Sequence, residues 1–274
     1  MPASTYCYGD TPTPAPAGVR AVFTTRAGGV SPVPYDSLNL GDHVGDLPAN
    51  VAANRDVLRQ ATGSHPVFLQ QVHDTEVLVL NADALDGQKA DACVTDQAGL
   101  ACTIMVADCL PVLLASEDGT VVAAAHAGWR GLAGSPSGTQ GQGVLEAVYE
   151  SFLALAHKQH GRAAIKTIAW LGPCIGPSAF EVGAEVKAAF ESVQPEAGGL
   201  FLPHGTGKYL ADLPALARLR LKAMGITQAF GNDGSDAWCT VRNPSKFFSH
   251  RRDAGLSGNG FGTTGRMAAC IWRE

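Results

Sequence analysis

Three short segments in the middle of the chain each carry one side chain that binds transition metals well. These side chains are His73, Cys109 and His126. Two imidazoles and a thiolate form a ligand set typical of zinc, which prefers four ligands in a tetrahedron. Because three protein ligands leave one position for water or substrate, the set predicts a catalytic metal site rather than a structural one.

Polar residues next to these ligands extend the candidate site. Asp108 precedes Cys109 at the end of an apolar run, where a carboxylate needs a partner or a function, although a surface turn before Pro111 would read similarly. Trp129 and Arg130 follow His126 between two glycines, which predicts a sharp bend that directs an aromatic ring and a guanidinium into a cleft. A strand-to-helix turn is the alternative.

An amino-terminal region is the candidate for binding the rest of a ligand. Segments 24–31 and 37–41 combine Arg26 and Asn39 with hydroxyls and glycines, a mixture that suits a phosphate or a sugar. The spacing of a P-loop and that of a dinucleotide-binding loop are both missing from these segments. We therefore expect Arg26 and Asn39 to contact the substrate.

Strands that end near one rim must position these side chains. Short runs rich in Val, Ile, Leu, Thr and Ala predict strands that are apolar on both faces and central in a sheet. The predicted strands are Val19–Thr25, Val67–Val72, Glu76–Leu80, Ala92–Thr95, Leu100–Val106, Val112–Ser116, Thr120–Ala125, Ile165–Leu171 and Met267–Trp272. The candidate metal ligands fall at or just beyond strand ends, which would bring them together.

Helical periodicity completes the predicted architecture. Predicted helices span Ala49–Thr62, Val144–His160, Ala184–Val193 and Asp212–Met224. No repeat or linker divides the chain. We expect a mixed α/β (α+β) fold: residues 1–18 form a loosely ordered tail, and residues 19–274 form a single catalytic domain with a largely buried sheet flanked by helices.

Composition narrows the class of protein. The chain has 274 residues and a formal net charge of −5 without a basic run, so a small-molecule substrate is favoured over nucleic acid or a membrane surface. Its 7 cysteines are dispersed and unpaired in sequence, which indicates a reducing compartment. With no apparent signal peptide or membrane span, the expected location is the cytoplasm. The sequence is silent on the oligomeric state.

Several longer motifs carry a family resemblance. The sequences QVH, VADCLPV and AHAGWRG are followed by LGPCIGPSAFEVG, FFSHRRD and TGRMAACIW. In this order they resemble the YfiH family, whose members have been described as laccase-like polyphenol oxidases and as purine nucleoside phosphorylases. The likeness runs from about Arg20 to the carboxyl terminus. Segments 134–143 and 254–262 look like insertions relative to the family pattern.

The resemblance implies both a metal and a reaction. It implies zinc bound by His73, Cys109 and His126, and phosphorolysis of adenosine, inosine, guanosine and methylthioadenosine. It also implies deamination of adenosine. On this basis the expected partners are purine nucleosides and phosphate. Arg26 is our candidate for binding phosphate, and Asp108 is our candidate acid/base.

Other functions fit the same residues. A multicopper laccase is disfavoured, because the 8 histidines contain no His-x-His pair. A single copper ion (Cu²⁺) held by two histidines and a cysteine, with Met105 nearby in sequence, remains an alternative polyphenol oxidase site. A Cys-His hydrolase is a second alternative: Cys109 would be the nucleophile of an amidase that edits peptidoglycan precursors. A binding module without catalytic activity is a third.

Overall fold

The computed structural model describes residues 15–134, 141–160, 164–253 and 263–274. Its α-helices are α1 Pro48–Thr62, α2 Trp129–Ala133, α3 Val144–His160, α4 Ala184–Glu191, α5 Leu213–Ala223 and α6 His250–Asp253. Its strands are β1 Val19–Phe23, β2 His65–Phe68, β3 Val77–Val79, β4 Ala92–Thr95, β5 Leu100–Val106, β6 Leu110–Ser116, β7 Val122–Ala127, β8 Thr167–Leu171, β9 Glu181–Gly183, β10 Phe201–Pro203, β11 Lys208–Ala211, β12 Gln228–Gly231 and β13 Met267–Arg273. Two short 3₁₀ helices span Pro195–Leu200 and Asp236–Trp238.

Two large sheets face each other across the middle of the molecule. One has four strands in the order β1-β13-β5-β2, and the other has six in the order β12-β8-β6-β7-β4-β3. Ile104 on β5, Leu113 on β6 and Val122 on β7 belong to the apolar cluster between the sheets. A small third sheet has the strand order β10-β11-β9, and its buried residues belong to the same apolar cluster as Val112 of the six-stranded sheet.

Helices cover the outer faces of the sheets. The six-stranded sheet packs against α3, whose Val148 and Phe152 are fully buried in the same cluster as Val112 and Ala125. Burial of a side chain such as Phe152 stabilises the folded state by about 1.5–3 kcal/mol relative to leaving it exposed. The four-stranded sheet packs against α1 through Leu58. Since both faces of both sheets are covered, their central strands are apolar on both sides.

Two of the segments that cross from one sheet to the other carry candidate ligands. Residues 107–109 connect β5 of the four-stranded sheet to β6 of the six-stranded sheet. Residues 69–76 connect β2 to β3 in the same sense. Cys109 and His73 lie on these crossings, and His126 is the second-last residue of β7. The candidate ligands therefore meet where the sheets are joined.

The predicted fold class is confirmed, with differences in detail. The fold is a mixed α/β domain, but the predicted strands form two facing sheets rather than one. The short strands β9 to β12 and the helices α2 and α6 were not predicted. Predicted helix α1 ends as expected at Gly63, which adopts a left-handed conformation with φ 64°.

Some sequence expectations fall wholly or partly outside the described residues. These are the tail at 1–18, of which residues 1–14 are outside, and the two insertions at 134–143 and 254–262, of which residues 135–140 and 254–262 are outside. Within the described part of the chain, every helix is too short or too polar to cross a bilayer.

Candidate metal centre and its cavity

The three candidate ligands converge as the sequence suggests. Cys109 Sγ lies 3.8 Å from His73 Nε2. The rings of His73 and His126 meet edge to face, with centroids 4.7 Å apart. One nitrogen or sulfur atom from each of the three side chains lies within 4.8 Å of the others. Among the described residues this is the one cluster of His, Cys, Asp and Glu that could hold a metal ion in this way.

This donor set fits a transition-metal ion. Zinc bonds of about 2.0–2.3 Å in a tetrahedron place neighbouring ligand atoms roughly 3.3–3.7 Å apart. The separation of 3.8 Å between Cys109 and His73 is close to that range. A thiolate with two imidazoles suits zinc and also suits copper. The residues present therefore fit a metal ion with an open fourth position.

A buried carboxylate fixes the orientation of His126. Asp91 Oδ1 accepts a hydrogen bond of 2.8 Å from His126 Nδ1, which leaves Nε2 free to bind a metal. Asp91 also accepts the backbone N–H groups of Val72, His73 and Asp74 at 2.9–3.0 Å. One carboxylate thus holds both the His126 ring and the segment that carries His73. The sequence reasoning missed Asp91, which follows Ala90 without a distinctive motif.

The charges of the cluster favour a thiolate. Burial raises the pKa of Cys109, but the charge and hydrogen bond of His126, followed by those of His73, outweigh burial and lower the pKa to about 6. Burial lowers the pKa of His126, whereas Cys109 and Asp91 raise it to about 9. Near neutral pH the metal-free pair is therefore a thiolate beside an imidazolium.

The backbone around the cluster adopts conformations that few side chains tolerate. His73 and Asp108 both have positive φ values, 64° and 95°. Gly128 lies directly against the ligands, since a Cβ there would come within 3.0 Å of Cys109 Sγ and 3.2 Å of His73 Cδ2. A glycine is therefore required at position 128 because the backbone there approaches two candidate ligands closely. Its φ of −62° is open to any residue.

The cluster opens into a cavity of about 310 Å³. This volume is at the lower end of the range of small-molecule sites, about 300–1,000 Å³. One part of its wall is apolar and the remainder is polar or charged. The apolar residues are Met105, Val106, Ala107, Trp129, Ile175, Phe180 and Leu213, and the polar residues are His43, Gln71, His73, Asp108, Cys109, His126, His250, Arg251 and Arg266.

Asp108 lies in this wall and is held from two sides. Thr240 Oγ1 donates a hydrogen bond to Asp108 Oδ1 at 2.5 Å, and the backbone N–H of Arg251 donates to Oδ2 at 2.6 Å. Asp108 is 8% exposed, so it is not the surface turn that its position before Pro111 allowed. Each carboxylate oxygen has a second lone pair with which to accept a ligand's hydrogen bond.

Of the two predicted substrate residues that follow His126, one lines the cavity and the other does not. Trp129 lines the cavity. Arg130 is exposed and stacks on the Trp129 ring at 4.5 Å, outside the cavity wall. Both residues begin helix α2, so the strand-to-helix turn was the correct alternative for this segment.

Arg26 and Asn39 also lie outside the cavity wall. The Arg26 guanidinium donates to the carbonyls of Asp36 and Pro244, both at 2.9 Å, and forms an ion pair with the Asp36 carboxylate at 3.0 Å. Asn39 is fully buried, and its side chain bridges Gly41 and the backbone of Arg266. The structure brings neither side chain to the candidate ligands.

Other cavity residues were missed as site residues. His250, Arg251 and Arg266 lie within motifs that carried the family resemblance, whereas His43 had no signal in the sequence. Burial lowers the pKa of Arg266, and the negative charges of Cys109 and Asp108 oppose this effect. A guanidinium remains charged near neutral pH in spite of such a shift.

Comparisons with known proteins agree over nearly the whole chain. A family model described as multi-copper polyphenol oxidoreductase laccase matches residues 20–274. The protein called purine nucleoside phosphorylase YfiH from Shigella flexneri is 48% identical over 261 residues, with 94% of this chain and 96% of that protein covered. Its namesake from Escherichia coli strain K12 is 47% identical over 261 residues, with the same coverage. The crystal structure of Neisseria meningitidis protein NMB0706 superposes with a TM-score of 0.81 at 46% identity, with 95% of this chain and 96% of that chain covered.

Proposed function

Since this chain belongs to the YfiH family, we propose that it is a zinc-dependent purine nucleoside phosphorylase. Its substrates are adenosine, inosine, guanosine and methylthioadenosine, which it cleaves with phosphate, and it also deaminates adenosine. Relatives named as purine nucleoside phosphorylases support this class of enzyme. The observation that carries the proposal is that a single cavity contains a candidate metal centre, an apolar wall and guanidinium groups.

Phosphorolysis requires a nucleophile and a leaving base to be held in line. An oxygen of phosphate forms a bond to C1′ of the ribose while the C1′–N9 bond breaks. The bonding electron pair leaves with the purine, which takes up a proton. Trp129 and Phe180 give the purine apolar surface, and a bound purine would be shielded from water there. Asp108 is the group we assign to proton transfer, because it is the buried carboxylate in the wall.

His73, Cys109 and His126 would hold the zinc ion. A bound zinc ion supplies Lewis acidity and lowers the pKa of a coordinated water. Asp91 orients His126, and the Asp91 carboxylate also fixes the backbone at His73. The protein thereby presents its ligands in one arrangement before any metal binds.

Metal analysis combined with a phosphate-dependent assay tests the proposal. Purified protein should contain about one zinc per chain and release base from adenosine, inosine or methylthioadenosine when phosphate is present. Cys109→Ala should lose both zinc and phosphorolysis, while Cys239→Ala, which removes a buried thiol in another segment, should keep the zinc. Stoichiometric zinc without any base release would refute the phosphorylase, and full activity in Cys109→Ala would refute the metal centre.

A Cys-His hydrolase is the second candidate, and one observation favours it. Cys109, His126 and Asp91 are arranged as nucleophile, base and orienting carboxylate, which is the arrangement used in nucleophilic amide hydrolysis. Its substrate would be a peptidoglycan precursor. Metal-free protein that forms a stable adduct with an acyl-type probe at Cys109 and hydrolyses muropeptide amides would support this function over the first.

A copper polyphenol oxidase is the third candidate. Met105 lines the same cavity as Cys109 and His126, and a methionine thioether would be a suitable weak additional ligand for a copper ion held by this donor set. Addition of Cu²⁺ to the metal-free protein should then give an intense blue colour and oxidation of a diphenol. We expect neither result at a level comparable to phosphorolysis.

A further inference from the structure

We propose that Arg266 holds the phosphate that attacks the nucleoside, and that the Asn39–Gly41 segment positions it. This inference rests on the proposed phosphorylase function and assigns its second substrate to a named group. It replaces Arg26, the residue that sequence reasoning favours for phosphate.

The first argument is the unused hydrogen-bonding capacity of Arg266. Its Nη1 donates to the carbonyls of Thr264 and Gly265, at 3.0 and 3.3 Å. Its Nε and Nη2 donate to no partner within the part of the chain that the structure describes. The side chain lines the cavity in which a ligand would bind. A guanidinium edge with free N–H groups matches two oxygens of a phosphate.

The second argument is the position of Arg266 relative to the reacting groups. It shares the cavity wall with Cys109 and Asp108, and it is close enough for their charges to affect its pKa. His43 lines the same wall. Burial lowers the pKa of His43, and the positive charge of the nearby Arg266 lowers it further. An anion bound between Arg266 and His43 would lie beside the candidate metal centre.

The third argument is that the protein fixes Arg266 firmly. Asn39 Oδ1 accepts the backbone N–H of Arg266 at 2.9 Å, and the N–H of Leu40 donates to the Arg266 carbonyl at 3.1 Å. A Cβ at Gly41 would come within 2.7 Å of Arg266 Cγ, so this glycine lets the segment pack directly against the arginine stem. Asn39 is therefore a positioning residue that acts through Arg266.

Arg26 lacks these properties. Three of its donors are already used by Asp36 and Pro244, and it stacks on Phe248 at 4.7 Å. Its side chain is absent from the cavity wall as the described residues define it. The two arginines therefore form a matched pair for a test.

The test compares Arg266→Gln with Arg26→Gln in steady-state phosphorolysis, varying phosphate and nucleoside separately. Arg59→Gln, which removes an exposed arginine paired with Asp56, controls for the loss of one positive charge. Arg266→Gln should raise the KM for phosphate about tenfold or more, because hydrogen bonds to charged groups are lost. The KM for nucleoside should change much less. Arg266→Lys, which keeps the charge without the planar fork, should lie between wild type and Arg266→Gln.

A second readout does not depend on turnover. Inorganic phosphate should raise the thermal unfolding temperature of the wild type and of Arg59→Gln but not that of Arg266→Gln. An unchanged phosphate KM in Arg266→Gln, or a large increase in Arg26→Gln instead, would overturn the assignment. If Arg266→Gln does not fold, Arg266→Lys decides by the same kinetic criterion. If wild type releases no base with phosphate, the proposed function fails, and the thermal shift still decides whether Arg266 binds the anion.

Discussion

Asp91 and His126 form a buried pair in which the carboxylate accepts the Nδ1 hydrogen of the imidazole at 2.8 Å. The Asp91 side chain is fully buried and that of His126 is 4% exposed, so solvent would replace this hydrogen bond poorly when one partner is removed. The same carboxylate binds three consecutive backbone N–H groups around His73. Two candidate metal ligands therefore depend on one residue.

Replacement of Asp91 should weaken metal binding strongly. We expect Asp91→Asn to lose about 10- to 100-fold in zinc affinity, as is usual when the partner of a ligating histidine is changed. Zinc titration against a competing chelator measures this loss. Asp74→Asn removes an exposed carboxylate from the same segment and should bind zinc like wild type. Equal affinities of Asp91→Asn and wild type would contradict the orienting role.

A methyl group at Gly128 should disturb the metal centre without unfolding the protein. Its Cβ would meet Cys109 Sγ and His73 Cδ2 at 3.0 and 3.2 Å, so both ligands must shift by a few tenths of an ångström. We expect Gly128→Ala to lower zinc affinity and phosphorolysis while changing the unfolding temperature little. Gly199→Ala is the control, because a Cβ there has no neighbour within 4 Å. Wild-type zinc affinity in Gly128→Ala would show that the ligands do not occupy these positions.

The reactivity of Cys109 in the metal-free protein should persist down to about pH 6. Since the thiol pKa is lowered to about 6, the thiolate dominates above that value and is lost as the pH falls through it. The rate of alkylation by iodoacetamide should therefore fall below about pH 6, whereas an ordinary cysteine loses reactivity below about pH 8.5. Subtraction of the rate for Cys109→Ser removes any contribution from the other cysteines.

Zinc provides the check on this assignment. It should protect Cys109 from iodoacetamide over the whole pH range in which it binds. A rate profile centred near pH 8.5, or alkylation unaffected by zinc, would contradict the thiolate pair.

Asn54 should be needed for the stability of the amino-terminal loop. It is fully buried on α1, where its side chain donates to Ser31 Oγ and the Asn39 carbonyl at 2.8 Å and accepts the N–H of Val30 at 2.9 Å. Asn54→Ala should cost about 2 kcal/mol or more in the free energy of unfolding, because several buried polar groups lose their partner.

Denaturant unfolding measures this cost. Asn50→Ala on the same helix should cost much less, since the hydrogen bond from its side chain to Asp46 is 3.4 Å long. Through Asn39, the loss of Asn54 should also raise the KM for phosphate. A large destabilisation with an unchanged KM for phosphate would show that the loop does not position Arg266.

The meeting of His73, Cys109 and His126 could be predicted from the sequence, because Cys109 and His126 are adjacent to distinctive local patterns. Cys109 and His126 lie next to strongly apolar strands, and the residue types are those of candidate metal ligands. Asp91 and Arg266 could not be derived in this way. Their roles depend on contacts across 35 residues in one case and 227 in the other, which no local spacing encodes.

The number of sheets was beyond sequence reasoning for a related reason. A strand covered by a helix on one face and by a second sheet on the other has the same apolar pattern as a strand between two helix layers. Nothing in Leu100–Val106 or Leu110–Ser116 shows that these strands belong to different sheets. The short polar strands β9 to β12 lack the apolar alternation that would reveal them.

Two of the crossings between the sheets make the candidate metal centre a product of the complete tertiary structure. His73 and Cys109 each lie on a segment that leaves one sheet and enters the other, so neither sheet alone can bring the three ligands together. An ion bound by all three ligands would therefore cross-link the two facing sheets. At a free concentration one hundred times its Kd, such an ion adds about 2.7 kcal/mol to the free energy of unfolding. Because the three ligands come together only when both sheets are docked, loss of metal binding should report the separation of the sheets.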